Sequence, residues 1–376
     1  MTILDPIKMA LQRAVEDGTF PGAVLAVRLR GALVYEEAVG RLSLQSADEP
    51  VTLQTCYDLA SLTKTLATTT ALLLLIQGGQ VTLDARIDHI LQELRESPVG
   101  VATVRQLLTH SSGLPGWRPY YERVAATERV QSGFLGSAAA RQAMLGYIAQ
   151  ESLVYTRDSR SLYSDLGFML LGFAVERLSG ESLAQFCERQ IYDPLGAHLL
   201  AYLPYGGLAK QAASTGPALT IAPTEEDAWR GRTLCGEVHD ENAFAMGGVA
   251  GHAGLFGTAG AVLAVARAWM DGWLGQPGLL DPDLVQRFTM RQHGVPHSSW
   301  ALGWDTPSVP SSSGTLFSPE SFGHLGYTGT SLWVDPATQM EVVLLSNRVH
   351  PTRHNERIRA FRPLIHDLIC RVFLGR

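Results

Sequence analysis

The sequence predicts an α+β fold: an antiparallel sheet built from both chain ends, flanked by helices, with a helical insertion domain between them. Three observations predict it. Strand-like segments gather near the two termini, at residues 23–39 and 301–346. Helical periodicity dominates the stretch between them, the pattern of a sheet closed by its ends around a helical insertion. The 376 residues are 46% hydrophobic and 18% charged, enough apolar material for a large core or two. The expected division is a discontinuous sheet domain, residues 1–55 and 257–376, and a mainly helical domain, residues 56–256.

Residues 5–17 read as an amphipathic helix closed by Gly18. Residues 23–29 and 32–39 read as strands joined at Arg30-Gly31, a hairpin signal. Helical periodicity then covers 61–77, 83–94, 165–178, 182–192 and 258–273. Leu178-Ser179-Gly180 ends one of these helices and Asp193-Pro194-Leu195-Gly196 the next. Strands return at 301–304, 332–335 and 340–346, with Asp335-Pro336-Ala337-Thr338 as a hairpin turn, and 353–373 reads as a final helix. The Pro- and Ser-rich run 307–313 is expected to be a mobile surface loop.

A net charge of −6 without a long basic run excludes nucleic acid as a partner. The longest strongly apolar run, 71–76, is too short to span a bilayer, so no membrane partner is expected. The N-terminus shows no basic segment followed by an apolar one, so no secretory signal is read. Cys56, Cys187, Cys235 and Cys370 are widely spaced, as in a reduced protein. The expected compartment is the cytoplasm.

The chemistry centres on Ser61-Leu62-Thr63-Lys64. One helical turn places residues three apart on one face, so a helix opening at Ser61 sets the Lys64 amine beside the Ser61 hydroxyl. A serine hydroxyl needs a neighbouring base to become a nucleophile. Lysine serves as one only if its pKa is lowered, and apolar Leu59, Ala60, Leu62 and Leu66 favour that. Two further segments belong with it: Tyr163-Ser164-Asp165, and Gly323-His324-Leu325-Gly326 followed by Tyr327.

S-x-x-K followed by two such segments is the signature order of serine β-lactamases and penicillin-binding proteins. The chain resembles the class C branch of that superfamily, in which the second motif is Y-x-N and the third is often H-x-G. Tyr163-Ser164-Asp165 and His324-Leu325-Gly326 match these, and Leu107-Leu108-Thr109-His110-Ser111-Ser112-Gly113-Leu114-Pro115 resembles another recurrent segment of the branch. The resemblance spans roughly residues 20–350. It implies Ser61 as the acylated nucleophile, Lys64 and Tyr163 as the proton-handling pair, and the N–H groups of Ser61 and Tyr327 as the oxyanion hole. Which of Lys64 and Tyr163 is the general base stays open.

Asp165 stands where asparagine is usual, and ionised aspartate only accepts hydrogen bonds. It either holds Lys64 charged or caps the helix that follows, or does both. His324 replaces a standing cation and is charged only in mild acid, which weakens the implied carboxylate-binding role. It is expected to orient the Tyr163 hydroxyl or to bind a neutral substrate group. Gly326 is expected where substrate backbone lies against the strand. Residues 235–256 carry His239, Asp240, Glu241 and His252 among glycines. Either they form a substrate-specificity loop over the site, as in relatives that include peptidoglycan carboxypeptidases and muramoyl-peptide amidases, or they bond buried backbone. Their spacing is no recognised ligand pattern, so neither metal nor other cofactor is expected.

The leading reading is a serine hydrolase working through an acyl-enzyme on an amide or ester, best a cytoplasmic amidase or peptidase acting on peptidoglycan fragments. A carboxylesterase or β-lactamase is the alternative. A catalytically weak penicillin-recognising binding protein is the alternative of another class. The partner in every case is a small-molecule, peptide or muropeptide substrate.

Overall fold

The computed structural model describes residues 5–44, 49–204 and 219–376. Its strands are β1 (Gly22–Leu29), β2 (Ala32–Gly40), β3 (Tyr57–Asp58), β4 (Leu200–Tyr202), β5 (Glu226–Asp227), β6 (Arg232–Thr233), β7 (Leu255–Gly257), β8 (Phe322–Leu325), β9 (Ser331–Asp335) and β10 (Met340–Ser346). The main sheet runs β2-β1-β10-β9-β8, antiparallel throughout. The two chain ends meet where β1 pairs with β10, Ala23 opposite Ser346 and Leu29 opposite Met340. The expected α+β class and the sheet built from both termini are therefore found.

The central strands are apolar at nearly every position because both faces of the sheet are covered. Val24 and Ala26 of β1, with Val343 and Leu345 of β10, face the inner core. Ala23, Leu25 and Val27, with Val342 and Leu344, face the other way, onto the terminal helices Asp5–Glu16 and Ile358–Leu374. The first of these presents Ile7, Leu11 and Ala14, one stripe at helical spacing. The Ala259–Trp273 helix covers the inner face with Val262, Val265 and Trp269, and the remaining helices build outward from it. No described helix is long and apolar enough to cross a membrane.

Several expected elements differ. Residues 301–304 form a turn closed by Ala301 N–H donating to Trp304 O, 2.8 Å. The strand beside β9 is instead β8, a four-residue strand that its glycine hides from a propensity reading. Gly323 is obligatory there: a Cβ would lie 2.4 Å from the Trp333 ring. Residues 83–94 hold only the short helix Ile87–Ile90 and a 3₁₀ turn at Gln92–Leu94. The amides of Ile87 and Asp88 bond Ala102 and Gly100, so this backbone finds partners outside a helix. The last helix starts at Ile358, not 353. Helices at Tyr120–Glu128, Ala138–Ala149 and Pro282–Thr289 were not expected. In the 307–313 run Val309 is exposed but Ser313 is buried.

Candidate active site

A second sheet, β3-β7-β4, carries the nucleophile segment. After β3 the chain turns sharply, with Ala60 at φ +46°. The buried Asp58 carboxylate holds this turn. It accepts from Ala60 N–H at 2.8 Å and from His239 N–H at 2.7 Å. Ser61 follows, and the helix opens with a widened π-helical turn, Lys64–Thr69, before α-helix Thr70–Gln77. Such turns are rare and recur at functional sites.

Lys64 is fully buried. Its Nζ donates to Ser61 Oγ at 2.9 Å and to His252 O at 3.0 Å, and it pairs with Asp165 Oδ1 at 2.7 Å. Three acceptors around a group with three N–H donors is the environment of an ammonium. Burial alone would lower the Lys64 pKa, but Asp165 and Tyr163 outweigh it and the net direction is up. The expectation that apolar neighbours lower this pKa is thus corrected. Asp165 holds Lys64 charged, as one of the two roles considered for it required. The other role belongs to Ser164, whose hydroxyl caps the Asp165–Ser179 helix by accepting from Gly167 N–H at 3.2 Å.

Tyr163 donates its phenol proton to Ser61 Oγ at 2.7 Å. Its pKa is raised, because burial outweighs the attraction of Lys64 for a phenolate. The ring sits in an aromatic nest formed by His110, Trp300 and His324, with centroids 4.7, 5.6 and 6.0 Å away. His110 accepts from Ser164 N–H through Nδ1 at 3.0 Å, so the 107–115 segment positions the tyrosine loop.

His324 lies on β8, buried, with Nδ1 donating to Leu325 O at 2.8 Å. Burial, and then the charge of Lys64, push its pKa down to about 3. It is neutral at ordinary pH, and its Nε2 has no hydrogen-bond partner among the described residues. Gly326 is required by the packing of its own turn. A Cβ would meet Thr330 Oγ1 at 1.9 Å and Leu59 O at 2.6 Å. The glycine lets the β8–β9 turn close onto the nucleophile segment, where Thr328 and Thr330 hydroxyls donate to the carbonyls of Asp58 and Leu59.

Residues 235–256 form the opposite wall. His239 Nε2 meets Glu225 Oε2, and His252 Nε2 meets Asp240 Oδ1, each at 2.9 Å. The two histidines engage different carboxylates. Despite burial, His239 and Arg353 hold the Glu225 carboxyl at about 2, and His252 holds Asp240 below the usual carboxylate range. Asp240 also caps the Glu241–Ala245 helix. Arg353, unmarked by any sequence pattern, reaches this wall and bonds Glu225 and Glu241. A pocket of about 380 Å³ opens over Ser61 between Tyr163, Asp165, Asp240, Tyr327 and Arg353. A larger cavity of about 960 Å³, between Met290 and the 307–311 loop, holds none of these groups and is not the site of this chemistry.

Ser61, Lys64, Tyr163, Asp165, Tyr327, His239 and His252 thus converge on one pocket, with His324 and Gly326 just behind it. Asp58, His110, Trp300 and Arg353 join them without having been expected in the site. Residues 7–365 match the Beta-lactamase family. A protein of Escherichia coli K12 provisionally assigned as a D-alanyl-D-alanine carboxypeptidase is 34% identical over 359 residues, 89% of this chain and 80% of that protein. The N-acetylmuramyl-L-alanine amidase of Bacillus subtilis 168 is 31% identical over 371 residues, covering 92% and 81%. The solved structure of EstCE1, a hydrolase with promiscuous acyltransferase activity, shares the fold at TM-score 0.72 and 21% identity over 96% of this chain and 98% of its own. The chain belongs to the beta-lactamase family and is a serine hydrolase of that fold.

Proposed function

We propose that this hydrolase acylates Ser61 and cleaves an amide bond in a peptidoglycan-derived fragment, at a position with no carboxylate beside the scissile bond. Once the Lys64–Tyr163 pair has lost one proton to solvent, Ser61 Oγ attacks the carbonyl and passes its own proton to the pair, which returns it to the leaving amine. The N–H groups of Ser61 and Tyr327 receive the developing oxyanion. One observation carries the substrate reading: among the described residues that line the pocket or bond Ser61, no standing cation lacks a carboxylate partner. Lys64 is paired with Asp165, Arg353 with Glu225 and Glu241, and His324 is neutral. Asp165, Asp240 and Glu241 line the same space. A substrate carboxylate beside the scissile bond would meet carboxylates there, whereas the amide of a muramoyl-alanyl peptide has none at that place. The relatives named as amidase and carboxypeptidase support the peptidoglycan class. A neutral third motif suits a simple ester equally, so a carboxylesterase is the second reading.

The test is a hydrolysis screen across N-acetylmuramoyl-L-alanine peptides, p-nitrophenyl esters, D-Ala-D-Ala peptides and nitrocefin, with Ser61→Ala as control. Muramoyl amide cleavage that vanishes in Ser61→Ala, with an acyl adduct on the Ser61 peptide by mass spectrometry, is the expected result. Release of D-alanine without amide cleavage overturns the substrate reading. Turnover retained by Ser61→Ala overturns the mechanism.

A further inference from the structure

Arg362 is a buried guanidinium behind the pocket with an unusual set of partners. It sits on the Ile358–Leu374 helix, 6% exposed. Its Nη2 donates to Gly326 O and to Thr330 O, both at 2.8 Å. It pairs with no carboxylate among the described residues, and its Nε has no partner. Burial, and then repulsion from Arg348 and Arg359, push its pKa down to about 9, so it remains charged at neutral pH. A buried cation without a counterion is unfavourable, and among the described residues its hydrogen-bond acceptors are a pair of carbonyls in the β8–β9 turn.

Gly326 O belongs to the same peptide group as Tyr327 N–H. In a planar trans peptide the C=O and N–H point in opposite directions. The carbonyl faces Arg362 in the interior, so the N–H faces the other way, toward the pocket that Tyr327 lines with Ser61. No partner for that N–H occurs among the described residues. The rest of the turn is clamped: Gly326 N–H donates to Thr330 O at 2.7 Å, and Arg348 Nε donates to Tyr327 O at 2.9 Å.

We infer that Arg362 is a positioning residue for the oxyanion hole, fixing the Gly326–Tyr327 peptide and making its N–H a stronger donor. A carbonyl bonded to a cation polarises its own peptide group, which strengthens the opposite N–H. The cation also lies behind the place where negative charge develops, and transition-state stabilisation depends on such preset charge. This inference rests on the acyl-enzyme reading above.

The test compares Arg362→Met and Arg362→Lys with the wild type, using p-nitrophenyl acetate kinetics and the infrared carbonyl stretch of the acyl-enzyme. Arg362→Met should lose about 10–100-fold in kcat, less than the roughly 10²–10³ for deleting an oxyanion donor outright, with KM nearly unchanged. The ester carbonyl stretch should move to higher frequency as the hole weakens. Arg362→Lys keeps the charge but not the two-carbonyl reach, and should fall between. It carries both readouts if the methionine variant does not fold. Folded variants with wild-type kcat and an unshifted stretch overturn the inference, as does a kcat loss without a frequency shift, which would mark a merely structural arginine. A wild type that forms no adduct on Ser61 overturns the acyl-enzyme reading and this inference with it.

Discussion

Replacing Asp165 with asparagine restores the residue usual at that motif position and removes the charge that holds Lys64 protonated. The carboxylate is 2.7 Å from Nζ, and the lysine is fully buried. At that distance and an effective dielectric of about 20, the attraction is roughly 6 kcal/mol. After relaxation, losing one partner of a buried pair costs roughly 3–5 kcal/mol. Wild-type Lys64 has a pKa raised above that of the unfolded chain. Its stabilising contribution is therefore full below the free-lysine value of about 10.4 and is lost as pH rises through the higher folded value. At pH 6, Asp165→Asn should lower Tm by about 4 °C, from 3 kcal/mol and about 2.1 cal/mol/K of unfolding entropy per residue. The deficit should shrink as pH rises and Lys64 gives up its proton. The kinetic sign is independent of which group is the base, because Asp165 raises the proton affinity of Lys64 and of Tyr163 alike. The acid limb of kcat/KM should move to lower pH in the variant, and reaction at pH 6 should rise relative to the plateau. Matched pH–rate profiles and calorimetry decide it. An acid limb that stays in place or moves up would refute the assignment of Asp165 as the group holding the pair protonated.

Tyr163→Phe and Lys64→Ala should each lower kcat by about 100-fold or more, as for loss of acid–base help. Because both touch Ser61 Oγ, the double variant should lose far less than the product, and fully multiplicative losses in steady-state assays would show independent action. His324→Lys would bury a second ammonium near Lys64 without a carboxylate to receive it, so turnover of esters and muramoyl amides should fall, with a lower Tm. Faster turnover of D-Ala-D-Ala peptides by this variant, with weak wild-type turnover of neutral substrates, would move the substrate class to carboxylates.

The elements that were legible are those whose evidence lies within one element. The Asp5–Glu16 stripe, the β1–β2 hairpin and the Asp165–Ser179 helix have their periodicity in consecutive residues. Residues 83–94 misled because Leu83, Ile87, Ile90, Leu91 and Leu94 are all buried or nearly so at helix-like spacing, yet their backbone bonds run to residues 100 and 102. β8 was hidden for the opposite reason. Its Gly323 answers to the ring of Trp333 on the neighbouring strand, a contact that no local pattern records.

The same division explains the site. Ser61, Lys64 and Tyr163 were readable because their chemistry is carried by residue type. The charge state of Lys64 was not, because it depends on what lies across the fold. The neighbours visible in sequence, Leu59, Ala60, Leu62 and Leu66, are indeed buried, and by themselves they would favour a neutral amine. The groups that reverse the sign, Asp165 and Tyr163, come from distant chain. So does a further acceptor of the Lys64 amine, the backbone carbonyl of His252, 188 residues away. A main-chain carbonyl has no residue signature, so a list of site residues with His252 in it did not reveal this contact. The imidazole serves Asp240, and Asp240 caps the helix that shapes the wall. The 235–256 segment therefore acts on the nucleophile through its backbone and on the pocket through its carboxylates. Of its two expected roles, the bonding of backbone is seen where Asp240 accepts from Ala243 N–H, and the same carboxylate lines the pocket.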